Sequence, residues 1–167
     1  NVAPLITHGS VRLAAMGHST GEASSRDLEN MKSMVQEAMC AGAIGLSSGL
    51  EYSPGIYADE DELTALASVA AKYSGIYASH IRNRGELFED AVEEAINICR
   101  RSDLPGQLSH LAPRPYAPEG AFENVLKTCL KHVIKMYISE SVLSAVQIIM
   151  FFKTFFLQFS SLKTFSN

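Results

Sequence analysis

The chain has 167 residues, of which 47% are apolar and 19% charged, a composition suited to a globular domain with its own core rather than to a disordered segment. A formal net charge of −4 without a basic cluster argues against nucleic acid as a partner. Cys40, Cys99 and Cys129 are odd in number, far apart and free of any CxxC pairing, which argues against a disulfide scaffold or a zinc finger and makes a reducing, cytoplasmic setting the expectation. No signal peptide opens the chain, and Asn1-Val2-Ala3-Pro4-Leu5 lacks an initiating methionine, so a piece of a longer protein is expected.

Residues 2–8, VAPLITH, read as a short strand ending at His8 and a Gly9 turn, with Pro4 tolerable near its start. Ser24-Ser25-Arg26-Asp27 supplies helix-capping chemistry. Behind it Leu28, Met31, Met34, Val35, Ala38 and Met39 recur at helical spacing until Ala41-Gly42 stops the run. Residues 43–48, small and apolar, form the next expected strand, and the loop after it turns at Pro54-Gly55. Asp59 or Asp61 caps a helix through Leu63, Leu66, Ala67 and Ala70. Gly75 opens the strand GIYASH, and a helix from Glu86 turns Leu87, Ala91, Ala95, Ile96 and Ile98 inward. Pro105-Gly106 resets the chain before the strand QLSH, followed by a proline-rich loop over 112–118 and a helix over 119–131.

One strand falls roughly every 30–36 residues. A (β/α)₈ barrel spends about 30 residues per unit. The rhythm therefore predicts an α/β fold made of about four βα units, a partial TIM barrel, over residues 1–131. Residues 132–167 break the rhythm and form a second, divergent segment, expected to be helical. Six of the eight phenylalanines crowd there, and Ser141–Asn167 holds no acidic residue, glycine or proline. Residues 142–159 have the length of a membrane span, but Gln147, Lys153 and Gln158 interrupt it, and a lysine near a bilayer centre costs about 2.5–3.5 kcal/mol. A foreign end, from a frameshift or read-through, is the preferred reading; an amphipathic helix on a membrane or partner is the alternative.

The strongest chemical signal is the pair His80 and His110, each ending an apolar run. Parallel sheets put chemistry at the carboxyl ends of their strands, so two such strands one βα unit apart aim two imidazoles into one mouth. Zinc and similar ions take neutral imidazole, and a catalytic site keeps a position open for water. The plainer alternative is two separate core histidines bonded to backbone. His8 sits at a comparable strand end but has no HxH partner, which leaves it as an outer wall of that mouth; His18 and His132 read as surface or helix residues. Gly45-Leu46-Ser47-Ser48-Gly49 matches G-x-S-x-G, the nucleophile elbow of serine hydrolases, yet the elbow needs a helix directly after the serine and here Pro54-Gly55 intervenes. Arg82 and Asn83, just past His80, and Arg114, just past His110, suit a substrate carboxylate, because guanidinium grips carboxylates bidentately; a solvated loop charge is the ordinary alternative.

Taken together, GAIGLSSGLEYSPGIYADEDEL, GIYASHIRNRGE, AVEEAINI and QLSHLAPR resemble the middle of an N-acyl-D-amino-acid deacylase, a D-aminoacylase of the amidohydrolase superfamily of metal-dependent TIM barrels. The resemblance covers residues 1 to about 127. It implies that His80 and His110 bind zinc or another divalent metal, that the substrate is a small N-acyl amino acid, and that Tyr52 of the GLxYxPG segment walls the site. The family's HxH pair, bridging cysteine and late catalytic aspartate have no counterpart here; Arg84 stands where many members are acidic, and Ala112 replaces a lysine, leaving Arg114 to serve. The expectation is a piece of a metal-dependent amidohydrolase, inactive alone. Its rivals are a noncatalytic protein associated with a membrane or partner and a serine hydrolase using Ser47.

Overall fold

The computed structural model describes residues 2–139. The elements run β1 (Ile6–Thr7), α1 (His8–Met16), α2 (Ser25–Cys40), β2 (Gly45–Gly49), a single 3₁₀ turn (Gly55–Tyr57), α3 (Glu60–Ala71), β3 (Ile76–His80), α4 (Phe88–Ser102), β4 (Gly106–Ser109) and α5 (Ala121–Ser139). The four strands form one sheet in the order β1-β2-β3-β4, every neighbouring pair parallel. The chain divides into two compact units, the first ending at Leu126 and the second beginning at Lys127, within α5. The boundary expected at residue 131 introduces a tail of which residues 140–167 lie outside the described residues. Among the described residues no helix is long and apolar enough to cross a membrane.

Register explains how the sheet sorts its side chains. Leu46 pairs with Tyr77 and Ser48 with Ser79. Alternation along a strand puts these four on one face, and Ser47, Ala78 and His80 on the other. The first face meets the helices: Leu46 and Tyr77 are buried with Met31, Val35 and Met39 of α2, Leu63, Leu66, Ala67 and Ala70 of α3, and Ile98 of α4. Burying each of these larger side chains contributes about 1.5–3 kcal/mol. Tyr77 brings a hydroxyl into that core, where burial pushes its pKa up to about 12; it shares a 2.7 Å hydrogen bond with Ser48, which in turn donates to Ser79 at 3.2 Å. Gly45 is needed for close strand approach, since a Cβ there would stand 2.1 Å from the Ile76 carbonyl oxygen.

Two helix starts follow their predicted chemistry. Ser24 caps α2 through a reciprocal capping box with Asp27, and Asp59 accepts from the Glu62 backbone at the start of α3. Four details differ. The expected strand over 2–8 shrinks to Ile6–Thr7, and His8 opens a helix instead of ending a strand, so Gly9 lies inside α1 rather than at a turn. Helix α1 was masked in the sequence by that glycine and by the absence of a side-chain cap. Leu87 is 56% exposed, while Phe88 takes the buried place at the head of α4. Finally, α5 continues to Ser139, past the expected end at residue 131.

Candidate metal centre

His80 is the last residue of β3, and His110 follows the last residue of β4 with a left-handed φ of 55°. In the β3–β4 register His80 stands opposite Ser109. The turn beyond Ser109 brings His110 back beside His80: the two rings lie 5.2 Å apart, nearly edge to face. His80 is partly buried and His110 exposed. Tyr52, exposed on the loop after β2, sets its ring 5.3 Å from His80. A cleft of about 460 Å³ at the carboxyl ends of β1 and β2 shares Tyr52 as a wall, with Thr7, Ser10, Ser47 and Pro54.

Glu51, which sequence reasoning passed over, ties this group together. Its Oε2 lies 2.9 Å from His80 Nε2, and its Oε1 accepts from Arg114 Nη2. The hydrogen bond to His80, and after it the charge of Arg114, hold the Glu51 carboxyl below its ordinary value against the opposing effect of desolvation. Glu51 is therefore an anion between an imidazole and a guanidinium. The loops after β3 and β4 are joined directly: Arg114 N donates to Arg84 O at 2.6 Å, and Tyr116 packs so closely on Gly85 that a Cβ there would meet its ring at 2.1 Å.

The other residues expected to touch substrate are engaged within the protein. Arg82 donates from Nε and Nη2 to Glu94 of α4, from Nη1 to Ile56 O at 2.8 Å and from Nη2 to Ala58 O at 2.7 Å. It pins the loop after β3 to the turn before α3. Asn83 Oδ1 accepts from Gly85 N at 2.7 Å and Leu87 N at 3.3 Å, closing the approach to α4. Arg114 spends one nitrogen on Glu51, and its Nε is buried without a hydrogen-bond partner. Ser47 lies within β2, which runs on to Gly49, so the strand-to-helix elbow of a serine nucleophile is not formed. Cys40 sits at the exposed end of α2, remote in role from any ligand set, with its thiol on the Tyr73 hydroxyl.

His8 belongs to a different constellation. It is fully buried, with Nε2 2.7 Å from Glu62 Oε1, while Arg12 donates to Glu62 Oε2 and to Gly21 O. Burial alone would raise the Glu62 carboxyl, but hydrogen bonds to His8 and then Arg12 outweigh it and hold the value low. The signal for this cluster was the i,i+4 spacing of His8 and Arg12, meaningful only once residues 8–16 are known to be helical.

Among the described residues no group of three or more His, Cys, Asp or Glu side chains is arranged to hold a metal. The pair His80 and His110 supplies two nitrogen donors of the type zinc prefers, and in chemistry it fits part of such a site.

No protein-family model matches the chain. Among curated proteins, an N-acyl-D-glutamate deacylase of Alcaligenes xylosoxydans xylosoxydans is 43% identical over 110 residues, which is 66% of this chain and 22% of that protein. A D-aminoacylase of the same organism is 34% identical over 110 residues, 66% of this chain and 23% of that protein. The chain thus spans about a fifth of the length of the curated relatives it matches. The crystal structure of an N-acyl-D-glutamate deacylase from Bordetella bronchiseptica, complexed with zinc and a phosphonate mimic of the tetrahedral intermediate, superposes with a TM-score of 0.75 at 34% identity, over 81% of this chain and 28% of that one. A D-aminoacylase crystal structure superposes at 0.70 with 27% identity, over 84% of this chain and 29% of that one.

Proposed function

We propose, from the premise that this chain resembles part of the N-acyl-D-amino-acid deacylases, the D-aminoacylase group of amidohydrolases, that it is the portion of such an enzyme that carries two metal-binding histidines. The observation that carries this reading is the meeting of His80 and His110, rings 5.2 Å apart, at the ends of neighbouring parallel strands. Residues 1–131 then form four consecutive units of a (β/α)₈ wall. The sheet order supports this, because it runs β1-β2-β3-β4 without the reversal of a doubly wound sheet. The face opposite the helices, with Ser47, Ala78 and His80, becomes the lining of the barrel.

The reaction is hydrolysis of the acyl C–N bond of an N-acyl-D-amino acid, giving a free carboxylate and a D-amino acid. His80 and His110 would hold a divalent metal, zinc in this proposal, which would supply Lewis-acid polarisation of an amide carbonyl. This chain's own residues shape the surroundings. Tyr52 walls the mouth next to His80. Arg82 and Asn83 hold the loop after β3 in place, and through it the approach of the substrate. Arg114, bonded to Glu51 beside His80 and with a buried unpartnered Nε, is the guanidinium assigned to the substrate carboxylate. The HxH pair and the late catalytic aspartate that the family resemblance implies have no counterpart in this sequence. We therefore assign the isolated chain no deacylase turnover of its own. The test is paired: calorimetric titration with zinc and a deacylation assay on N-acetyl-D-glutamate. Zinc binding without turnover is expected; absence of zinc binding would overturn the proposal.

A further inference from the structure

The sequence and the comparisons leave Glu51 without a role, yet it makes the best-defined polar contact at the mouth. Its two oxygens face two different partners: Oε2 meets His80 Nε2 at 2.9 Å, and Oε1 accepts from Arg114. A carboxylate can only accept, so His80 Nε2 must carry the proton in that bond. A neutral imidazole with its proton on Nε2 has its lone pair on Nδ1. Ligating histidines usually hand their other ring N–H to a carboxylate, which fixes the ring and strengthens it as a ligand. Arg114 supplies the next link, because a guanidinium on Oε1 stops the carboxylate from turning away from the ring.

We infer that Glu51 is the positioning residue of His80: it holds the Nε2–H tautomer, anchored by Arg114, and so presents Nδ1 to a divalent cation. The inference rests on the reading of His80 as a metal-binding residue. It accounts for an acidic residue in the loop after β2, a place where the expected site required only a wall. It also gives Arg114 work before any substrate arrives. Chemistry selects the cation: a neutral imidazole backed by a carboxylate suits zinc or a similar borderline ion rather than magnesium or calcium, which take oxygen ligands.

The test uses the full chain and needs no turnover. Glu51→Gln and Glu51→Leu are compared with the wild-type protein, each checked for native circular dichroism. Long-range ¹H–¹⁵N correlation spectra of the metal-free protein report directly which ring nitrogen of His80 is protonated. The expected result is an Nε2–H form in the wild-type protein and a mixture of tautomers in Glu51→Leu. Zinc affinity by calorimetry is expected to fall by about 10–100-fold in both variants, the usual cost of losing the carboxylate behind a ligating histidine. Unchanged tautomer and unchanged affinity in Glu51→Leu would overturn the inference while leaving the metal-binding reading intact. If the wild-type protein takes up no zinc, that reading fails by itself. The spectra still decide whether Glu51 sets the tautomer of His80: an unaltered tautomer in Glu51→Leu overturns the inference there too.

Discussion

Two clusters in this molecule have the same composition, a histidine, a glutamate and an arginine, and opposite surroundings. In His8–Glu62–Arg12 the side chains are 0%, 6% and 0% exposed; in His80–Glu51–Arg114 they are 17%, 21% and 36% exposed. The first joins two helices, α1 and α3, with all three members sealed from water. The second joins the end of β3 to the loops after β2 and β4, and beside it stands a further imidazole, His110. Residue type alone therefore does not mark a site. A sealed charge cluster is held by the cost of stranding any member, whereas an open one keeps its donors within reach of a ligand at little cost in stability.

The buried cluster is the more sensitive of the two to loss of its glutamate. Glu62→Ala strands His8 and Arg12 in the core, and removal of one partner of a buried pair is expected to cost about 3–5 kcal/mol, read from urea denaturation. The matching change at the mouth, Glu51→Gln, is expected to cost under about 1 kcal/mol in the same measurement, because those groups keep contact with water. Equal losses from the two would erase the distinction. Arg82 lies between the extremes. Its guanidinium serves Glu94 and two backbone carbonyls, so Arg82→Ala should cost about 2 kcal/mol of stability and leave zinc affinity within a factor of two.

Acid sharpens the contrast further. Glu62 has a folded pKa below its ordinary 4.5, so its contribution is fully present above about pH 4.5 and is lost as the pH falls through the lowered value. Stability measured from pH 6 to pH 3 should therefore drop on the acid side, and Glu62→Gln should flatten that drop. The smallest expected effect is at a helix start: Ser24→Ala removes the cap of α2 and should cost about 1 kcal/mol without touching either cluster.

How much of this could be read in advance follows from the range of the interactions. Helix starts at Ser24 and Asp59, strand cores at Leu46 and Tyr77, and the alternation that carries His80 to a strand end depend on neighbours a few residues away, and they were legible. So was the approach of His80 to His110, because two parallel strands one unit apart leave their ends side by side. Helix α1 was not, because Gly9 imitates a turn and Thr7 makes no cap to the helix backbone. With α1 hidden, the pairing of His8 with Glu62, 54 positions away, could not be foreseen. The roles of Arg82 and Arg114 show the same limit. Both follow a histidine-bearing strand, but only the fold reveals that one guanidinium is spent on Glu94 and backbone carbonyls while the other backs Glu51.

The proposed cation-binding pair at the ends of β3 and β4 is reached directly by zinc titrated into the wild-type chain, His80→Ala and His110→Ala side by side. Uptake by the wild-type protein is expected to disappear in both variants, with native circular dichroism retained in all three. Zinc uptake that survives in either variant would contradict it.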